Sequence, residues 1–509
     1  MTASANLKNL EKQVGMTDAS SHPRRKRRPA PRTTTGCLCC RMRRKKCDET
    51  KPECLGCIRN GLICSFGSKA HDDHGKADTQ RDSPEQNQAP WRTTSAKRYP
   101  SLQVCRAPGT PWLAKPASRL LFDHYRGRTA GKLGGITGPK NPFIACILPL
   151  AEGDSLVMHS LLALSGSHMI NGNDSEAVAS STWIHYGLAV RGLKHALTEK
   201  VVSNQADTAK LLVTCLLLSH VEIIAGNVNG AVLHHLRASR HFVLSLSKEF
   251  AKRSDTDIRG FLLELYAYLA LINNVTLNLE SEARLIPFDP FMFSLNSLEA
   301  SSSFGVMFGC GHELFEMIPR ICELGVECHK DKLGVFSSSR SSYLYVALEG
   351  KIIAWQPPLR NGIPYSGDWL IAAEIYRRAL LVFLHTTFYG PRVTDHLLRS
   401  SVDDVIDSVI PVFEQMLGWI TLDENGRTCE PAIATTLLWP LTIIGSCMVQ
   451  YEHREYLRTI LTTSQYEMQS LSCVMKLLDW LWEDPNDYVY GPYGLEMVMK
   501  KRKMNICIG

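Results

Sequence analysis

The sequence predicts a mostly α-helical protein: a small cysteine-dense module near the amino terminus, a polar linker and a large all-α body. Three observations carry that prediction. Six cysteines fall in a duplicated pattern between Cys37 and Cys64. From residue 116 to the end, apolar residues recur with helical spacing. Val/Ile-rich alternating runs at regular spacing are missing, so strands should be few. Of the 509 residues 44% are hydrophobic and 21% charged, which suits a folded soluble chain and excludes collagen, mucin and disorder throughout.

Residues 1–35 are polar, basic and punctuated by proline, and should be a disordered arm. They contain no apolar run, so no secretory signal is expected. Without export, thiols stay reduced, and metal ligation outranks disulfides. The first 66 residues carry 15 basic and 5 acidic side chains, against 42 and 45 in the remainder. A basic head on a near-neutral body points to a polyanion. The run Arg24, Arg25, Lys26, Arg27, Arg28 reads as a nuclear localisation signal, or as an arm that grips phosphates; the roles are compatible.

Residues 36–66 form the cysteine module. Cys37, Cys40 and Cys47 are separated by two and six residues, and Cys54, Cys57 and Cys64 repeat those gaps. A structural zinc takes four ligands. Six thiolates complete two tetrahedral sites only if two sulfurs bridge both metals. The symmetric choice is the first cysteine of each half, Cys37 and Cys54. The count therefore calls for two Zn²⁺ per chain, and a module this short needs metal binding to fold. Cys39 faces Gly56 in the duplication and reads as a non-ligand. The alternative, one zinc on Cys37, Cys40, Cys54 and Cys57, strands Cys47 and Cys64.

The two halves differ in charge. Arg41, Arg43, Arg44, Lys45 and Lys46 lie between two metal ligands, whereas the matching stretch of the second half has one cation. A short helix there would display a rigid cationic face to the DNA major groove, where Arg and Lys bond guanine. RNA readers usually interleave aromatics, and this stretch has none. A zinc module that binds protein or RNA is the rival reading.

The module closely resembles the DNA-binding domain of the fungal zinc binuclear cluster transcription factors. The resemblance covers Gly36 to Cys64: the six-cysteine spacing, the basic stretch, Asp48 after the third cysteine, and Pro52 two before the fourth. It implies two short helices around a two-zinc cluster, with Cys37 and Cys54 bridging. It also implies that Arg44 holds the main base-reading place, flanked by contacts from Arg43 and Lys46, on CGG-type half-sites. Arginine at these places departs from members that carry lysine.

Residues 67–115 are rich in polar residues and proline and read as a disordered linker. They hold no sustained heptad of the kind many relatives use to dimerise. Either the protein meets a single half-site as a monomer, the slightly preferred reading, or the body dimerises.

Residues 116–509 read as one all-helical domain, large enough for two lobes. Trp183, Tyr186, Val190, Leu193 and Leu197 mark one expected helix face. Asp207 is the expected cap of the next helix. The segment from Phe261 to Ile272 is apolar almost all round, as in a helix buried within a bundle. Met468, Leu471, Met475, Leu478 and Trp482 mark a late stripe. Pro431–Tyr451 is uncharged over a membrane-spanning length, but Pro440 and three threonines favour a core helix. Leu120–Gly131, Asn141–Ala151 and Leu437–Gly445 resemble the fungal-specific regulatory domain of the second type, which implies an all-helical regulator.

Catalysis is not expected. His312–Glu313 starts like a zincin helix, but Glu316 stands where the second histidine belongs. Gly131–Gly138 matches no phosphate loop and reads as a flexible connection. Cys310 near His312 defines no nucleophile, and His71 and His74 suit a solvated segment. The expected whole is a nuclear, zinc-dependent regulator of RNA polymerase II transcription. Its partners are double-stranded DNA and co-regulators or transcription machinery, with no membrane.

Overall fold

Helix α1 (Pro116–His124) opens the body with a proline in its first turn, where the missing N–H costs nothing. The chain is a computed structural model. It describes residues 46–51, 54–55, 111–171, 175–198, 205–250, 257–273, 286–332, 339–359, 365–419, 421–422, 428–464, 466 and 468–508. It divides into two units, Met1–Ser101 and Leu102–Gly509.

In the second unit α1 continues through wide and tight helical turns, Tyr125–Thr129 and Ala130–Lys132. Then come α2 (Leu148–Gly153), α3 (Ser155–Ile170), α4 (Glu176–Thr198), α5 (Gln205–Ile224), α6 (Ala231–Phe250) and α7 (Asp257–Ile272). A turn-rich stretch leads to α8 (His312–Phe315), α9 (Met317–Lys332), α10 (Ser339–Ala354), α11 (Gly367–Tyr389) and α12 (His396–Leu417). The last helices are α13 (Leu438–Gly445), α14 (Tyr451–Thr463), α15 (Gln469–Trp482) and α16 (Gly491–Lys501). Among the described residues the only strands are β1 (Thr421–Leu422) and β2 (Thr428–Cys429), an antiparallel pair with Thr421 opposite Cys429.

Apolar residues on every side make a helix central. In α5 every residue from Leu211 to Ile224 is buried, and in α7 every residue from Gly260 to Ile272. The expectation for Phe261–Ile272 thus holds. That for Pro431–Tyr451 holds in its middle: all eight residues of α13 are buried, Trp439 completely, while Val449 and Tyr451 at its end are exposed. Among the described residues no helix is long and apolar enough to cross a membrane. One continuous hydrophobic cluster runs from Leu121 to Ile508, so the body is not split into two lobes. Capping places its elements. Asp154 Oδ1 accepts from Leu156 N and Val157 N at 2.9 and 3.2 Å at the start of α3.

Three expectations change. On α4 the buried face is Val178, Thr182, His185, Ala189 and Leu193, and Trp183 is 49% exposed. The reason is close packing on α3: a Cβ at Gly166 would lie 1.9 Å from Thr182 Oγ1. The expected stripe is therefore split: Leu193 is buried, Tyr186 and Val190 are half-buried against the core, and Trp183 and Leu197 turn outward. Helix α5 starts at Gln205, so Asp207 sits in its first turn rather than at its cap. Within Gly131–Gly138, Gly134 and Gly135 are buried against Val306 and Ile433, and Gly135 N donates to Val306 O at 2.7 Å. That stretch is a close backbone crossing, not a flexible connection. On α15, Met475 and Leu478 are buried, while Met468, Leu471 and Trp482 are half-buried. Val474, Leu477 and Leu481 shift the core face to one side.

Candidate zinc centre and nucleic-acid interface

The strap from Cys47 to Cys54 joins the two halves of the cysteine duplication. Both thiols are buried, 7% and 0% exposed. Asp48 shapes the strap. Its Oδ1 accepts from Thr50 N at 3.1 Å, from Thr50 Oγ1 at 2.8 Å and from Leu55 N at 3.1 Å. The first of these closes an Asx turn, and the last ties the third-cysteine end of the strap to the fourth-cysteine end. Glu49 takes a left-handed φ of 61°. This aims its backbone N–H at Cys47 Sγ, 3.4 Å away. A sulfur that accepts an amide hydrogen bond is stabilised as thiolate, the form that ligates zinc.

The donor chemistry fits the metal. Two buried sulfurs stand at the third and fourth places of the array, and an amide supports that of Cys47. Lys46 is exposed at the end of the basic stretch. Cys37, Cys40, Cys57, Cys64, Arg41, Arg43, Arg44 and Lys45 lie outside the described residues, as do Arg24, Arg25, Lys26, Arg27 and Arg28, and His71 and His74. The support that Asp48 gives was not read from the sequence as a mechanism. The signal available was an aspartate with threonine two residues on, a common turn pattern.

The body's chemically notable groups serve its packing. His312 is buried, with Nε2 3.1 Å from Glu299 Oε1 and its ring edge-on to Phe304. Burial pushes the Cys310 thiol up to about 11, and its Sγ donates to Trp369 O at 3.5 Å. The Cys310 thiol therefore stays protonated near pH 7 rather than forming a nucleophilic thiolate. One group escaped sequence reading because it sits inside an apolar run. Glu264 on α7 is fully buried, and its carboxylate accepts from the backbone N–H of Gly305, Met307 and Phe308 at 3.1, 2.7 and 3.3 Å. Burial raises its pKa to about 7, while the three amides pull the other way. Gly305 takes φ 92° to present its amide. Glu264 thereby holds the turn before α8.

Three helices meet around histidines. His185 on α4 shares hydrogen bonds with Ser118 Oγ on α1 at 3.0 Å and with His159 on α3 at 2.9 Å. His168 on α3 shares them with His124 on α1 at 3.2 Å and with Thr129 at 3.1 Å. Burial first, then neighbouring cations, lower His168 and His185 to about 4. Both are therefore neutral near pH 7, with one ring nitrogen a donor and the other an acceptor.

The fungal specific transcription factor domain family matches residues 119–508, which is the helical body from α1 onward. The chain belongs to this family. The fungal Zn(2)-Cys(6) binuclear cluster domain, which holds two zinc ions, matches residues 35–72. "Transcriptional activator protein UGA3" of Saccharomyces cerevisiae is 26% identical over 217 residues, covering 38% of this chain and 41% of that protein. Over the cysteine module, "Transcriptional regulatory protein moc3" of Schizosaccharomyces pombe is 64% identical over 33 residues, 6% of each chain. "White-opaque regulator 2" of Candida albicans is 48% identical over 61 residues, 11% of this chain and 14% of that one. The chain spans less than half the length of these relatives. No solved structure matches it. The relatives are fungal Zn(2)-Cys(6) transcription factors, so the resemblance read from the cysteine spacing holds for the module, and that read from Leu120–Gly131, Asn141–Ala151 and Leu437–Gly445 holds for the helical body.

Proposed function

We propose that this protein is a nuclear, sequence-specific regulator of RNA polymerase II transcription. It docks the zinc cluster in the DNA major groove and uses the helical body to control output. The observation that carries the reading is the cluster match over residues 35–72, on the duplicated cysteine spacing. In this reading residues 36–66 are the DNA-binding module and 116–509 the regulatory domain. Residues 1–35 form a basic arm and 67–115 a linker. Cys37, Cys40, Cys47, Cys54, Cys57 and Cys64 hold two zinc ions, with Cys37 and Cys54 shared. Arg44 reads a CGG-like half-site, and Arg41, Arg43, Lys45 and Lys46 add base and phosphate contacts. Arg24 to Arg28 direct nuclear import. The body recruits co-regulators and performs no catalysis.

The test is selection of binding sites from random duplexes by the zinc-loaded protein, followed by affinity measurements across salt. Enrichment of CGG-containing sites, with affinity falling steeply as salt rises, is the expected result. Arg44→Ala should keep the fold and lose ~1–3 kcal/mol of discrimination at one base position. Salt-dependent binding without base preference would refute the sequence-specific reading.

A further inference from the structure

Helix α1 is fixed to the body along one side. Ser118, Leu121 and Tyr125 are buried. Ser118 Oγ meets His185 Nε2 at 3.0 Å, and the Tyr125 hydroxyl donates to Phe143 O at 2.9 Å. Along one exposed flank Lys115, Arg119 and Arg126 follow one another at four and seven residues, and Arg128 is exposed just beyond. Two of these side chains are steadied by the body. Arg119 Nε donates to Leu113 O at 2.8 Å, and the Arg126 guanidinium lies 6.0 Å over the Phe122 ring. Among the described residues no carboxylate pairs with Lys115, Arg119, Arg126 or Arg128, not even Asp123 on the same helix. The basic run Lys500–Lys503 is treated differently. There Lys500 pairs with Glu496 at 2.8 Å, Lys501 with Asp484 at 2.7 Å, and Arg502 lies over the Trp480 ring. Residues 115–140 hold six basic side chains and one acidic, whereas residues 141–509 hold 29 and 39. Cations at the amino end of a helix oppose its dipole, so fold stability does not account for Lys115 and Arg119.

We propose that this flank of α1 is a second DNA contact, a sequence-independent grip on the phosphate backbone of a duplex. From Lys115 to Arg126 the helix rises about 17 Å, a length over which one DNA strand presents about five phosphates. Arginine N–H groups match phosphate oxygens, and a side chain already held at one point loses less freedom on binding. Single-stranded nucleic acid needs open aromatic faces for stacking. The ring on this flank, Phe122, is half-buried and lies under Arg126, which favours the duplex backbone. The acidic balance of residues 141–509 repels a polyanion and confines the contact to this flank. Module and body belong to one chain, so a duplex held by the first meets the second at raised local concentration, and a few weak contacts suffice. The inference rests on the DNA-binding reading of the module, and the two can fail separately.

The test measures the affinity of the full zinc-loaded chain across salt, for its selected duplex and for an unrelated duplex of equal length. Lys115→Gln with Arg119→Gln and Arg126→Gln should lower the slope of log affinity against log salt by about 2 to 3. Both duplexes should weaken by the same factor, about tenfold or more, with base preference and the thermal melt unchanged. Arg126→Gln alone, which gives up only its place over Phe122, should lower the slope by about 1. Lys351→Gln with Lys476→Gln and Lys503→Gln removes the same charge from exposed positions elsewhere and should leave the slope near the parent's. An unchanged slope in the α1 variants, an equal drop in the control, or unequal weakening of the two duplexes would overturn the inference. A parent chain that binds both duplexes alike refutes the sequence-specific reading instead, and the slope comparison still decides the role of the flank.

Discussion

Cys54 in the zinc module and Cys215 in the helical body are equally buried, both at 0% exposure, and they are buried for opposite reasons. Cys215 lies in the middle of α5 among leucines, and burial pushes its thiol up to about 12, so it stays neutral and acts as a small apolar filler. Cys322 and Cys447 are pushed equally high. Cys54 ends a strap held by Asp48, and its partner across that strap, Cys47, takes an amide hydrogen bond on sulfur. Among the described residues of the first unit, Cys47 and Cys54 are the only buried hydrophobic side chains. The body therefore folds by excluding water from its helices, and the module by binding metal. Burial of a cysteine does not reveal its chemistry; the spacing around it does.

That contrast can be broken most severely at Cys54. Cys54→Ala should cost both zinc ions and at least ~100-fold in DNA affinity, while the body melts as before; elemental analysis and calorimetry on one preparation read both. The reverse experiment is Gly166→Leu. It forces a side chain into the α3–α4 crossing and should lower body stability by ~3 kcal/mol with zinc content unchanged, checked by denaturant unfolding.

A third experiment separates the regions by pH. In an unfolded chain a histidine titrates near 6.5, but His168 and His185 in the fold titrate near 4. Above 6.5 both states are uncharged and the stability is fully present. As pH falls from 6.5 toward 4 the unfolded chain gains protons that the fold refuses, and the body loses at least ~1 kcal/mol. His124→Gln with His159→Gln should reduce that slope, read from melts between pH 7 and pH 4.5. Asp48→Ala removes the strap's turn and its tie to Leu55 and should weaken zinc binding by ~10-fold without unfolding the loaded module, as measured by chelator competition.

Much of this was legible in the sequence. The cysteine duplication identified the family, because metal ligands must stand at fixed spacing. The apolar run of α7 identified a central helix, and the middle of the uncharged Pro431–Tyr451 segment proved to be core. What failed has a physical cause. Apolar periodicity assumes that bulky residues face inward, and on α4 Trp183 and Leu197 depart from this because Gly166 brings α3 within reach of Thr182. Two glycines in a row suggested freedom at Gly134–Gly135, yet there they let the backbone approach Val306. Glu264 was hidden because its partners are amides some 41 to 44 residues away, and backbone groups leave no mark in a sequence.

Glu264 also constrains the order in which the molecule can form. Its three amide partners follow it by more than 40 residues, so during synthesis the carboxylate on α7 waits, hydrated, until the turn at Gly305–Phe308 has left the ribosome. Burying that carboxylate without those amides would leave it unpaired, so the interior around α7 is complete only with the turn at Gly305–Phe308 in place.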